Sequence, residues 1–91
     1  MVVKHRPHRP TPGERLRARR LVLGLTLRDV HEASIALAEK HGNREFTLPA
    51  SRLHEFEVKG IVPSIFRLYT LSWVYGRKIG ELLRWYGIPT R

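Results

Sequence analysis

The stretch TLPASRLHEFEVKG, Thr47 to Gly60, carries two patterns at once. Leu48, Leu53 and Phe56 have the spacing of a helix face turned to a core, while Ser51, Arg52, His54 and Glu55 point away from it. Pro49 disfavours helical geometry at Leu48 and suits a first helical position, so a helix is expected from about Pro49 to near Gly60. Its outer face mixes a hydroxyl, a guanidinium, an imidazole and a carboxylate, more variety in hydrogen bonding than solubility needs.

Upstream, TPGERLRARRLVLG opens on a strong start signal. Thr11 can cap, Pro12 fits the first position and Glu14 completes a capping box. Leu16 and Arg20 share a face, Leu23 follows, and Gly24 stops the helix. TLRDVHEASIALAEKHG is the second helix, capped by Thr26, with Asp29 in the first turn and Gly42 at the end. Val30, Ala33, Leu37 and His41 form its stripe, and Ile35 falls off it. NREFT makes a loop.

Downstream of Pro63, SIFRLYTLSWVYG has Ile65, Leu68, Leu71 and Tyr75 at helical spacing, with Ser64 as the cap. KIGELLRWYG makes a fifth, short helix with Ile79, Leu82, Leu83 and Tyr86 turned inward, although Arg77 and Lys78 are poor caps. Strand signals are weak and no internal repeat is visible. The fold class is all-α: a compact five-helix domain over residues 11–87, preceded by an arm (1–10) and followed by a tail (88–91).

With 91 residues one domain is expected, and 42% hydrophobic residues suffice for a small core. Seventeen Lys and Arg against eight Asp and Glu give a formal charge of +9. On so short a chain that implies a polyanionic partner, most often nucleic acid and less often anionic lipid. The absence of cysteine excludes disulfides and thiolate metal sites. No apolar run approaches the ~18 residues of a membrane span, and MVVKHRPHRP lacks the apolar centre of a secretory signal. A cytoplasmic, non-membrane protein fits best.

The charge is uneven: Lys4, Arg6, Arg9, Arg15, Arg17, Arg19 and Arg20 fall in the first twenty residues, opposed only by Glu14. Met1 to Pro10 holds two prolines and no periodicity, the pattern of a flexible arm. It is either a solvated terminus or a basic arm, with Lys4, Arg6 and Arg9 lying on phosphate or in a minor groove.

GERLRARRLVLGLTLRDV and SRLHEFEVKGIVPSIFRLYTLSWVYGRKIGELL together resemble the lambda-repressor-like helix-turn-helix domain, the Xre family of bacterial and phage regulators. The features that carry the resemblance are Leu16, Arg20 and the Gly24-Leu25-Thr26 turn, then Leu53, Phe56, Glu57 and Gly60, then Pro63-Ser64 with Leu68, Leu71 and Tyr75. It spans Gly13 to Leu83, apart from an insert. The resemblance implies sequence-specific binding of double-stranded DNA by a transcriptional regulator, with the third helix in the major groove. Ala50, Ser51 and Glu55, with His54 beside them, then meet base edges, while Thr26, Arg28, Arg52, Lys59 and Ser64 meet the phosphate backbone. Arg20 and Glu57 hold the positions of a salt bridge that fixes the third helix from behind. A homodimer on two half-sites is expected of such domains.

The side chains suit that role chemically. Ser51 donates or accepts, Ala50 can touch a thymine methyl, and Glu55 can accept from a cytosine amino group. Helix N-termini attract phosphate through their free N–H groups. Glu55 would also repel a misplaced phosphate, which makes it either a specificity element or a mark against DNA binding.

Two departures from the family matter. Val30 and Leu48 lie 18 residues apart, about a dozen more than a short helix-turn-helix connection allows. The extra length can bring Arg44 to DNA, pack Phe46 over the core, or meet a partner protein. Leu27 stands where the family often has a glutamine, so backbone N–H groups and Arg28 take over phosphate binding. The main alternative is accordingly a protein-interaction module that keeps the fold and binds through the long second helix and its loop.

Five histidines, His5, His8, His31, His41 and His54, lack zinc spacing, so no metal and no cofactor is expected. Trp73, Tyr75, Trp85 and Tyr86 suit the core and rim of the last two helices, although Trp73 lies off the inward stripe and also suits a subunit interface. No nucleophile-base pair, phosphate loop or paired carboxylates stand out, and no enzyme is expected. WYGIPTR has the composition of a domain boundary, which leaves room for a further sensor or dimerisation region in a parent protein.

Overall fold

The structure, a computed structural model, describes residues 9–90. Most of the expected arm, with Lys4, His5, Arg6 and His8, lies outside the described residues; Arg9 and Pro10 are described and exposed. Among the described residues the chain is all-helical, with five α-helices and no strand: α1 Pro12–Val22, α2 Leu27–His41, α3 Ala50–Val58, α4 Ile65–Tyr75 and α5 Ile79–Trp85. A short 3-10 turn, Arg44–Phe46, lies between α2 and α3. None of these helices is long and apolar enough to cross a membrane.

Reciprocal capping starts the first two helices. Thr11 Oγ1 accepts from Glu14 N at 3.1 Å, and Thr11 N donates to Glu14 Oε1 at 2.9 Å. Thr26 Oγ1 accepts from Asp29 N at 3.0 Å, and Thr26 N donates to Asp29 Oδ2 at 2.8 Å. The Thr26 backbone N–H, then its side chain, hold the Asp29 carboxyl below the usual carboxylate range. Ser64 caps α4 by accepting from Arg67 N at 3.2 Å. α3 and α5 start on Pro49 and Lys78 without a side-chain cap. Pro49 is the cap rather than the first helical residue, because its ψ of 146° is extended. Gly42 and Gly76 end α2 and α4 in the left-handed region, at φ 59° and 63°, where a Cβ would be strained.

Every helix contributes to one core: Leu16 from α1, Val30 from α2, Leu53 and Phe56 from α3, Leu68, Leu71 and Tyr75 from α4, and Leu82 from α5, with Leu48 joining from the connection. α3 packs against both α1 and α2, while α4 packs against α2, the 3-10 turn and α5.

Four expected core positions are corrected. Leu23 is 40% exposed, because the chain turns at Leu23–Gly24 and Leu25 packs on the core instead. Its neighbour Arg20 holds that turn, with Nη1 donating to Leu25 O at 3.0 Å. Ile65 is 70% exposed: Pro63 is buried before it and the first turn of α4 swings Ile65 outward. On α2 the buried set is Val30, Ser34, Leu37 and Ala38; Ala33 is half-buried and His41 is exposed. Ser34 takes the inward position because its hydroxyl is satisfied there, as described below. Ile35 is exposed, as its place off the stripe implies.

Candidate nucleic-acid interface

α3 has a sealed back and an open front. Leu53 and Phe56 are fully buried and Glu57 nearly so, whereas Ser51, Arg52, His54, Val58 and Lys59 are exposed and Ala50 and Glu55 half-buried. The 3.6-residue period separates the two sets: the inward stripe recurs at 53, 56 and 57.

Two fastenings hold the back. At the C-terminal end, Arg20 Nε donates to Glu57 Oε2 at 2.8 Å and Nη2 to Glu57 Oε1 at 2.9 Å, a bidentate pair between α1 and α3. The hydrogen bond to Glu57 raises the Arg20 pKa, outweighing the effect of burial, so the guanidinium keeps its charge. Beside the pair α1 comes so near that a Cβ on Gly13 would lie 2.6 Å from Phe56 O and closer still to Glu57 O. At the N-terminal end, Leu48 N donates to Ser34 Oγ at 2.8 Å, and Ser34 Oγ donates to His31 O at 2.6 Å. This relay ties the residue before Pro49 to α2 and sets where α3 begins.

The front is a short charge ladder. Glu55 accepts from Arg52 Nη1 at 3.2 Å and lies 3.9 Å from Lys59 Nζ. The acid sits between two cations, so its charge is offset locally rather than facing solvent alone. Arg52 also reaches over the Phe56 ring, 6.0 Å from its centroid. Ser51 and His54 complete a surface that offers donors from Arg52, His54 and Ser51 and acceptors from Glu55 and Ser51.

The residues expected to hold phosphate are placed unequally. Arg28 and Lys59 are open, with side chains 85% and 65% exposed, and Arg28 lies 3.4 Å from Glu32. Ser64 is exposed as the α4 cap. Thr26 differs: its N–H and hydroxyl are both engaged with Asp29, whose carboxylate already occupies that helix end. Arg9 is exposed.

The insert folds back on α4. Phe46 packs its ring against Phe66 at 5.3 Å, Tyr69 at 5.5 Å and His41 at 5.0 Å. Thr70 Oγ1 donates to Phe46 O at 2.6 Å and Arg67 Nε to Thr47 O at 3.2 Å. Of the outcomes open to the insert, Phe46 takes the packed one and Ser51, Arg52 and His54 stay uncovered. Tyr75 is fully buried, Trp85 and Tyr86 are half-buried, and Trp73 is 51% exposed.

Neither protein-family models, curated proteins nor solved structures match this chain. What α3 can do follows from its own side chains. Among the described residues no cluster of His, Cys, Asp or Glu has the makings of a metal site.

Three positions that set this geometry were not expected. Gly13, Ser34 and Thr70 are small or hydroxylic residues on buried faces, and an apolar stripe passes over them. The signal for Ser34 was its spacing: it lies one turn after Val30, inside the stripe rather than beside it.

Proposed function

We propose that the protein binds double-stranded DNA sequence-specifically as a transcriptional regulator, with α3 entering the major groove as in the lambda-repressor-like domains of the Xre family it resembles. The observation that carries this is a helix buried and ion-paired behind, through Leu53, Phe56 and Arg20–Glu57, and open in front at Ser51, Arg52 and His54. A helix of this width fits the major groove, where each base pair displays a distinct set of donors and acceptors. Ala50, Ser51, His54 and Glu55 take the base edges. Arg28, Arg52, Lys59 and Ser64, with Thr26 in a lesser part, take the backbone, and Lys4, Arg6 and Arg9 add arm contacts. Phosphate contacts set register and most of the affinity, while base contacts set preference. The protein acts in the cytoplasm as a homodimer on two half-sites, without catalysis, cofactor or metal.

The test is a duplex titration at several salt concentrations. Log affinity falls linearly with log salt, and Lys59→Gln lowers the slope by about 0.9, the share of one phosphate. Ser51→Ala and Glu55→Gln change which base pair is preferred, by ~1–3 kcal/mol at one position. Equal binding to all duplexes defeats the proposal.

One observation favours a second function, a protein-interaction module on α2 and the following turn. Ile35 is 39% exposed and borders a hollow shared with Ala38, Glu39, Asn43, Arg44 and Thr47. In that case binding is indifferent to Lys59→Gln and lost with Ile35→Asp.

A further inference from the structure

A second surface lies on the side of α1 opposite α3. Arg15, Ala18, Arg19 and Val22 recur at helical spacing on one face, while Gly13, Leu16 and Arg20 are buried on the other. With Glu14, Arg77 and Trp85 they line a groove of about 310 Å³ between α1 and α5. The groove pairs three guanidinium groups with an apolar strip: Val22 is 76% exposed, and Ala18 and the half-buried Trp85 continue it.

The cations there are set for carboxylates. Arg19 Nε donates to Tyr75 O at 2.9 Å, which holds its guanidinium in place and lowers the entropy lost on binding. Arg77 lies 3.5 Å from Glu81, and Glu14 accepts from Thr11 N, so the two acids nearby serve local structure. Planar guanidinium forks take carboxylates in bidentate fashion.

Charge and shape together select the occupant. The residues before Pro10 contain Lys4, Arg6 and no acid, so the chain's own N-terminus carries the wrong sign. A second copy brings a further +9. A DNA duplex offers this face its phosphates and keeps its bases stacked inside, so it satisfies the arginines but has no group for the Ala18–Val22–Trp85 strip. We infer that the α1–α5 groove docks an acidic peptide segment bearing apolar side chains, supplied by a partner protein. Its carboxylates meet Arg15 and Arg19, and its apolar side chains cover Val22 and Trp85. The site stands independently of DNA binding, and because it lies across α1 from α3, both surfaces can be occupied together.

The test is fluorescence anisotropy of the full chain with a labelled Glu-Leu-Asp-Phe repeat peptide, beside polyglutamate of equal charge. The mixed peptide binds about tenfold tighter than polyglutamate. Arg15→Glu weakens it about tenfold, Val22→Ser severalfold, and Lys59→Gln leaves it unchanged. Arg15 and Val22 are exposed, so melting curves of these variants match the parent. Four results overturn the inference: equal binding of polyglutamate, indifference to Val22→Ser, displacement of the peptide by duplex DNA, or self-association in sedimentation that Arg15→Glu abolishes.

Discussion

Arg20 and Glu57 are two opposite charges with almost no water, 8% and 7% exposed, and each donor on the Glu57-facing side of the guanidinium has an acceptor. Such a pair adds little net stability over apolar residues of equal volume, but removing one member strands the other. Arg20→Met is therefore expected to cost about 3–5 kcal/mol in urea unfolding and to weaken any duplex binding through α3. Unchanged melting and unchanged duplex affinity together would show the pair has no part in holding α3. Two tyrosines make a second residue-level point. Burial pushes the Tyr86 hydroxyl up to about 12, and it pushes Tyr75 higher still, helped by the nearby Glu57 charge and opposed by Arg20. A raised phenol pKa contributes stability that is complete below the unfolded value, about 10, and is lost as pH climbs through the folded value. Stability is thus expected to fall between pH 10 and about 12, by on the order of 2 kcal/mol for Tyr86 alone. Tyr86→Phe flattens that decline in pH-dependent melting. It leaves neutral-pH stability equal or higher, because Tyr86 Oη has no hydrogen-bond partner among the described residues.

At the scale of elements, the placement of α3 depends on how near α1 can come. Gly13 lets two backbones touch where Phe56 and Glu57 present their carbonyls. Gly13→Ala gains helix propensity yet forces those carbonyls away, so a net loss of ~1–3 kcal/mol is expected in thermal melting. The helices themselves were legible in the sequence because their boundaries are local chemistry. Thr11 with Glu14, Thr26 with Asp29, and Ser64 each satisfy N–H groups within three residues, and no tertiary contact is needed to see it. The exposed front of α3 was legible for the same reason, from its period. Positions decided by other helices were not. Leu23 and Ile65 sit at the ends of otherwise inward stripes, where a turn of the chain, set by Arg20 and by Pro63, redirects them. Ser34 and Thr70 reach the interior through bonds to Leu48 N and Phe46 O, partners 14 and 24 residues away.

The whole molecule carries more charge than its stability favours. A formal charge of +9 on 91 residues repels itself, and among the described residues Arg20 is the arginine neutralised in the interior. Raising ionic strength from low salt towards 0.15 M is expected to raise the melting temperature while weakening duplex binding, two opposite slopes from one charge distribution. A melting temperature that falls over the same range would place the dominant effect in specific ion pairs such as Arg77–Glu81 instead. The insert shows how the rest of the molecule absorbs extra chain. Thr70 and Arg67 grip it by the carbonyl oxygens of Phe46 and Thr47, so the hold does not depend on the side chains of Arg44 and Glu45, both of which are exposed. Those two positions can be exchanged freely, and a dye attached at 45 would sit on a rigid mount without disturbing either face of α3.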